Sequence, residues 1–328
     1  MLKPFEEILP RLRSELSSLE TLRNDLHRRA MNGWMFVVAA FFVGGGLAAA
    51  CIGQGAEGRG FGIGIGIATL VAMGCIAYFQ IAKPKAEYVG AFKDQFIRPI
   101  AQSVGEGFSY APEGMISKEV YFSSQLYTRS VDRYHGEDLL QGMIGRTNVR
   151  MSELHTEYRT TSTDSKGNTQ THWHTIFRGL FIEADFHKHF QGRTFVRPDM
   201  AEKAFGFVGR SLQKLTFGPE ELIQLEDKEF EREFVVHGTD QVEARYILST
   251  SMMRRMLDLK RKFDASVAFS FVDSSMFIAL SIQENLFEPK FGASVLDESY
   301  LRHYYDQIQS CLGVVEDLGL NTRIWGKE

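Results

Sequence analysis

Two uncharged apolar stretches, Gly33–Gly53 and Phe61–Ala82, stand on either side of the polar segment Gln54–Gly60. At 1.5 Å rise per residue, about 20 helical residues cross a hydrocarbon core of about 30 Å, and each stretch reaches that length. The connection is long enough only for a tight turn. The chain is therefore expected to make a transmembrane helical hairpin with both flanks on one side. Neither stretch carries an ionisable side chain, which argues against an ion or proton pathway built from this chain alone.

Basic residues orient the hairpin. Lys3, Arg11, Arg13, Arg23, Arg28 and Arg29 precede the first stretch, Lys83, Lys85, Lys93 and Arg98 follow the second, and the turn holds only Arg59. The positive-inside rule places both termini in the cytoplasm of a bacterial inner membrane. The polar residues ahead of Gly33 exceed the short start of a cleaved signal peptide. Leu47–Cys51 resembles a lipoprotein processing box, but Ala48 replaces the larger aliphatic residue usual there.

Small residues let membrane helices approach closely. Ala40, Gly44 and Ala48 recur every fourth residue, as do Gly62 and Gly66. Packing of the two spans on each other is the first use of these ridges, and self-association into a homo-oligomer is the second. Ahead of the hairpin, Leu9, Leu12, Leu16, Leu19, Leu22 and Leu26 mark an amphipathic helix, expected to lie along the membrane or against the soluble domain. The organisation expected is an amphipathic helix over 1–32, the hairpin over 33–82 (spans 33–53 and 61–82), a juxtamembrane helix over 83–110 and a cytoplasmic domain over 111–328.

In that last part the period changes. Residues 146–159 and 171–185 alternate around a Ser/Thr/Asp/Gly segment and read as a long antiparallel hairpin. Val267–Val272 and Met276–Ile282 flank Asp273–Ser275 as a second one. Val120–Ser124 and 192–197 read as further short strands, and Leu222–Leu225 is strand-like. Helices are expected from Asp199 to about Leu215, over 251–262 and over 297–318, with one helical turn at 229–234. Hairpins rather than β-α-β units make the class α+β, with helices packed on an antiparallel sheet.

Several short blocks occur in order. They include Gly136-Glu137-Asp138-Leu139, Ile176–Gly179, Ala184-Asp185-Phe186, Asp227–Val236 with Phe230 and Phe234, and Asp240–Leu248 with Arg245 and Tyr246. This pattern resembles the bacterial membrane proteins of domain of unknown function 3137, from about Tyr88 to the C-terminus. The resemblance implies an inner-membrane protein with a cytoplasmic domain and no assigned reaction, in a process shared with LemA-type membrane proteins. His187 stands where that family pattern has Asn.

Candidate chemistry is sparse. His172 with His174, and His187 with His189, form two H-x-H pairs whose members share a strand face, a geometry compatible with Zn²⁺ or Cu²⁺. No cysteine or carboxylate cluster joins them. Cys51, Cys75 and Cys311 form no disulfide framework. Nucleophile elbow, phosphate loop, dinucleotide loop and H-E-x-x-H motifs are absent from the sequence, and no cofactor is implied. A net charge of −4 gives no global attraction to nucleic acid. Arg254, Arg255, Lys260, Arg261 and Lys262 form a basic helix face, read as solvated surface or as a contact for anionic headgroups or an acidic partner.

The reading that follows is a membrane-anchored, non-enzymatic adaptor or assembly factor binding a protein partner in an envelope-associated process. The alternatives are a hydrolase or metalloenzyme using the histidines near 172–189, and an anionic-lipid-binding module. A polar pocket gathering His172, His174, Glu137 and Arg245 would favour the enzyme.

Overall fold

The computed structural model describes residues 4–105, 107–163, 167–186, 190–199 and 220–320. The helix expected from Asp199 to Leu215 and the pair His187/His189 lie outside them. The chain forms two compact units: Pro4–Pro99 with Phe287–Tyr305, and Ile100–Leu286 with the chain from Asp306 onward.

The first unit is helical. α1 (Phe5–Ile52) runs unbroken through the expected boundary at residue 32, and α2 (Ala56–Ala77) returns beside it. Two helices in this part are long and apolar enough to cross a membrane. A π-turn over Tyr78–Ala82 leads into α3 (Lys83–Phe92), and a second over Lys93–Ile97 leads into α4 (Arg98–Gln102). Each π-turn ends two residues before a proline, Pro84 or Pro99. A proline removes one N–H and pushes on the carbonyl four residues back, and widening the helix by one residue relieves both effects.

The leucine stripe of α1 is buried within this unit. Leu12, Leu16, Leu19 and Leu26 are nearly inaccessible, as are Tyr88, Phe92 and Phe96 of the returning helix. The segment Phe287–Tyr305 completes the packing. The Phe5 ring lies 5.3 Å from Tyr305, Tyr88 5.4 Å from Phe291, and Phe92 5.1 Å from Tyr304. Glu20 binds Arg23 at 2.6 Å and accepts from the Val295 N–H at 3.0 Å, while Arg23 reaches the Phe291 carbonyl. Lys93, almost wholly buried, pairs with Glu288 at 3.0 Å. These contacts use up the apolar stripe that the sequence offered to a membrane surface.

Among the described residues, the second unit is built on one antiparallel sheet of nine strands. They are β1 (Ser109–Ala111), β2 (Arg133–Ile144), β3 (Thr147–Thr163), β4 (Thr169–Asp185), β5 (Thr194–Pro198), β6 (Glu221–Leu222), β7 (Phe234–Gly238), β8 (Ser266–Val272) and β9 (Ser275–Ser281). The order across the sheet is β1-β2-β3-β4-β9-β8-β5-β7-β6. Both expected hairpins are present, with β9 of the second seated against β4 of the first.

Val120–Ser124 is helical rather than extended. It lies in α5 (Lys118–Ser123), where the Ser117 hydroxyl caps the Val120 N–H and Glu119 sits in the first turn. The remaining helices are α6 (Lys228–Glu233), α7 (Gln241–Ile247), α8 (Thr250–Phe263) and α9 (Glu298–Asp317), the last shared between the units.

Both sheet faces are covered. On one, Leu154, Phe177, Phe181, Phe195, Phe277 and Ala279 pack with Ile116, Tyr121, Leu126 and Val131 from α5 and its flanks. On the other, Met151, Ile182, Phe269, Met276, Ile278 and Leu280 are buried. α8 lies on this second side, where Lys260 sits over the Phe234 ring. Alternation puts large apolar side chains on both faces of β8 and β9, so these central strands read as continuous apolar runs.

Candidate interaction surface

The β3–β4 hairpin is longer than the sheet that carries it. Its pairing extends to Thr163–Thr169, whereas β2 accompanies β3 only to Glu157 and β9 accompanies β4 only from Leu180. A two-stranded ribbon therefore continues past its neighbours, leaving two strand edges. The β3 edge is capped at its first free N–H. The Asp132 N–H donates to the Glu157 carbonyl at 2.9 Å, and the Asp132 carboxylate then accepts the Arg159 N–H at 2.8 Å. The β4 edge over Thr169–Arg178 pairs with no strand among the described residues. That stretch measures about 34 Å at 3.4 Å per residue.

The ribbon carries aromatic and cationic side chains in register. Tyr158 and His174, directly opposite, stack with ring centroids 4.8 Å apart, and the Thr160 hydroxyl meets His174 Nε2 at 2.8 Å. The Arg129 guanidinium lies 3.5 Å above the Tyr158 ring. On the other face Arg133 lies 3.4 Å above Trp173, whose cross-strand partner is Arg159. A guanidinium stacked on a ring can still meet carboxylates through its in-plane N–H groups, as Arg133 does with Glu157 at 3.7 Å.

His172 shares the face of His174 and is exposed. His174 is already engaged by Tyr158 and Thr160. Among the described residues, no three His, Cys, Asp or Glu side chains are grouped to hold a metal ion. Nor do His172, His174, Glu137 and Arg245 line one pocket. Glu137 is on β2 and Arg245 on α7, which follows β7, six strand steps away. At about 4.8 Å per step that is roughly 29 Å.

The sequence blocks that carry the family resemblance have structural roles. In the block Gly136–Leu139, Asp138 and Leu139 make a bulge in β2, with Asp138 at φ 61°. Asp138 is buried, its N–H donates to the Pro112 carbonyl at 2.8 Å, and its carboxylate accepts from the Tyr110 hydroxyl, which anchors β1. Gly179, at φ 145°, lies where a Cβ would run into the Leu280 carbonyl. Asp185 pairs with Ser275 at the end of the β4–β9 ladder.

Asp227 caps α6, with the Phe230 and Phe234 rings in tilted contact, centroids 4.9 Å apart. Asp240 caps α7. Glu243 accepts from the Gln191 and Gly192 N–H groups at 3.3 and 2.7 Å. Arg245 and Tyr246 are exposed.

The basic face of α8 is largely neutralised by its own unit. Lys260 pairs with Glu233, Arg261 with Glu229 and Asp258, and Lys262 with Asp317. Arg255 packs against Gly319, and Arg254 is exposed. In the helical hairpin, a side chain at Gly44 would collide with Thr69, and one at Gly62 with Ile52 and the Ala48 carbonyl. Ala48 is buried and Ala40 half-buried, while Gly66 has open space where its Cβ would stand.

Sequence reasoning missed one polar cluster. Arg193, just before β5, and Arg197 share a face with Phe195, which lies opposite His237 of β7, and both arginines reach Gln125. Arg193 donates to Gln125 at 2.7 Å and Arg197 to the Gln125 carbonyl at 3.4 Å. Burial pushes Arg197 down to about 10, and burial with Arg197 nearby lowers His237. Only the period-2 spacing of the arginines signalled it. Cys311 is buried, and burial pushes its thiol up to about 12, far from a nucleophile's range.

What the geometry defines is an α+β protein with two membrane-length apolar helices and a filled sheet. Residues 175–320, from the ribbon through α9, match the family model "Protein of unknown function (DUF3137)". The resemblance carried by the short blocks stands for that segment. No curated protein matches the sequence. Among solved structures, the crystal structure of the mycobacterial trehalose monomycolate transport factor A, TtfA, is similar at 13% identity over 63% of this chain and 88% of that one, with a TM-score of 0.30. A superposition that poor carries no argument.

Proposed function

We propose that the protein is a membrane-anchored, non-enzymatic adaptor or assembly factor whose sheet unit binds a protein partner in an envelope-associated process. In this reading α1 and α2 span the bacterial inner membrane with both termini cytoplasmic, as the ten basic residues flanking the spans against one in the turn favour. The observation that carries the reading is the β3–β4 ribbon, which projects aromatic, histidine and arginine side chains beyond a sheet whose two faces are filled. The family resemblance puts LemA-type membrane proteins first among partners to try.

A reporter active only in the cytoplasm should work when fused at Glu328 and fail when inserted at Gly55. The full-length protein, cross-linked in its native membrane, should then yield a stoichiometric partner. Inverted reporter activity, or a chain that never leaves the monomeric state on cross-linking, would defeat the proposal.

A further inference from the structure

We infer that the open edge of β4, Thr169–Arg178, is a docking ledge onto which an extended acidic segment of a partner protein adds as a further strand. The inference rests on the adaptor reading and names its surface and the chemistry of the partner. Edge strands in monomeric proteins are usually blunted by lysine, proline, inward charge or brevity. This one has no lysine, proline or carboxylate over ten residues and a single bulge, at Ile176; it reads Thr-Gln-Thr-His-Trp-His-Thr-Ile-Phe-Arg, rich in β-branched and aromatic residues.

The two edges of the ribbon are treated differently. Asp132 caps the next free N–H on β3 with its carboxylate, which stops strand addition there. No such cap stands on the β4 edge among the described residues. A strand seated on β4 would continue the line that β9 leaves at Ser281, and would gain main-chain hydrogen bonds by the mode that peptide-binding sheet domains use.

Charge selects the occupant. β4 carries no carboxylate before Glu183. Along the ledge stand His172, His174 and Arg178, the last donating to Asn285 at 3.0 Å, with Arg159 opposite Trp173; Arg133, stacked on that ring, also pairs with Glu157 at 3.7 Å. A second copy of this chain would bring a ledge with the same cations and no carboxylate of its own, so the pair would gain no charge complementarity. An acidic strand meets complementary groups instead.

The test places the photo-cross-linker p-benzoylphenylalanine at Thr171, and separately at the exposed Val242 of α7, in the full-length protein within the cells that make it. The inference expects a protein adduct at Thr171 that maps to an extended segment of net negative charge, and none at Val242. A synthetic peptide of that segment should bind the purified full chain in micelles, and the double variant Arg159→Glu/Arg178→Glu should weaken it at least tenfold. Adducts at Val242 but not Thr171 would overturn the ledge and leave the adaptor reading intact. Adducts at Thr171 only with lipid or with a second copy would also overturn it, as would a peptide that binds the double variant equally well. An absence of protein adducts at both positions would remove the adaptor reading itself.

Discussion

Replacing Gly179 by alanine tests whether β4 and β9 meet as closely as the sheet requires. The residue has φ 145°, where an L side chain is strained, at a cost of about 1–3 kcal/mol. The new Cβ would also overlap the Leu280 carbonyl and crowd the Ile282 N–H, both backbone atoms that cannot swing aside. Moving β9 away would weaken roughly two ladder hydrogen bonds of about 1 kcal/mol each. Alanine returns about 0.4–1 kcal/mol by restricting the unfolded chain. The net loss is about 2–4 kcal/mol, or roughly 4–16 °C at 2–4 °C per kcal/mol for a unit of this size.

The assay is thermal unfolding of the full chain in micelles, with hydrogen exchange to locate the weakening in β9. The control is Gly313→Ala in the middle of α9, where the added methyl meets nothing nearer than 3.5 Å. Helix propensity makes that change neutral or stabilising by up to about 1 kcal/mol. If Gly179→Ala melts within a degree of wild type, or weakens no more than Gly313→Ala, the close approach of the two strands is wrong.

Two further outcomes are expected. Leu19→Ala, at a fully buried position of α1, should destabilise the helical unit by about 2–5 kcal/mol. The exposed Ser17→Ala should change it by less than about 0.5 kcal/mol, with protease cleavage of α1 as the readout. Burial lowers His237 below its ordinary value of 6.5, so as pH falls through about 6.5 the unfolded chain takes up the proton before the folded one does. Stability is full above that pH and falls below it, and His237→Gln should flatten the melting temperature between pH 7 and 5.

Local patterns made much of the fold legible. The apolar runs at Gly33–Gly53 and Phe61–Ala82 implied two long helices, because a stretch of that length without charge has few other solutions. The alternation on either side of Asp273–Ser275 implied β8 and β9, and Asp227 and Asp240 marked helix starts by their side-chain chemistry. Val120–Ser124 misled, because five alternating residues cannot outweigh a capping serine that only the folded loop positions. β2 was missed, since its bulge at Asp138–Leu139 breaks the alternation that would have revealed it, and β1 is only three residues long.

By itself the chain's order of residues determined what each segment prefers: period 3.6 or 2, apolar length, caps and turns, all set by contacts within a few residues. Only the tertiary structure decided which segments meet. It brought β9 beside β4 and β5 between β8 and β7, paired the α8 lysines with distant carboxylates, and ended β9 at Ser281 while β4 ran on. These are pairings across tens to hundreds of residues, chosen by shape and burial in three dimensions, and no local period encodes them.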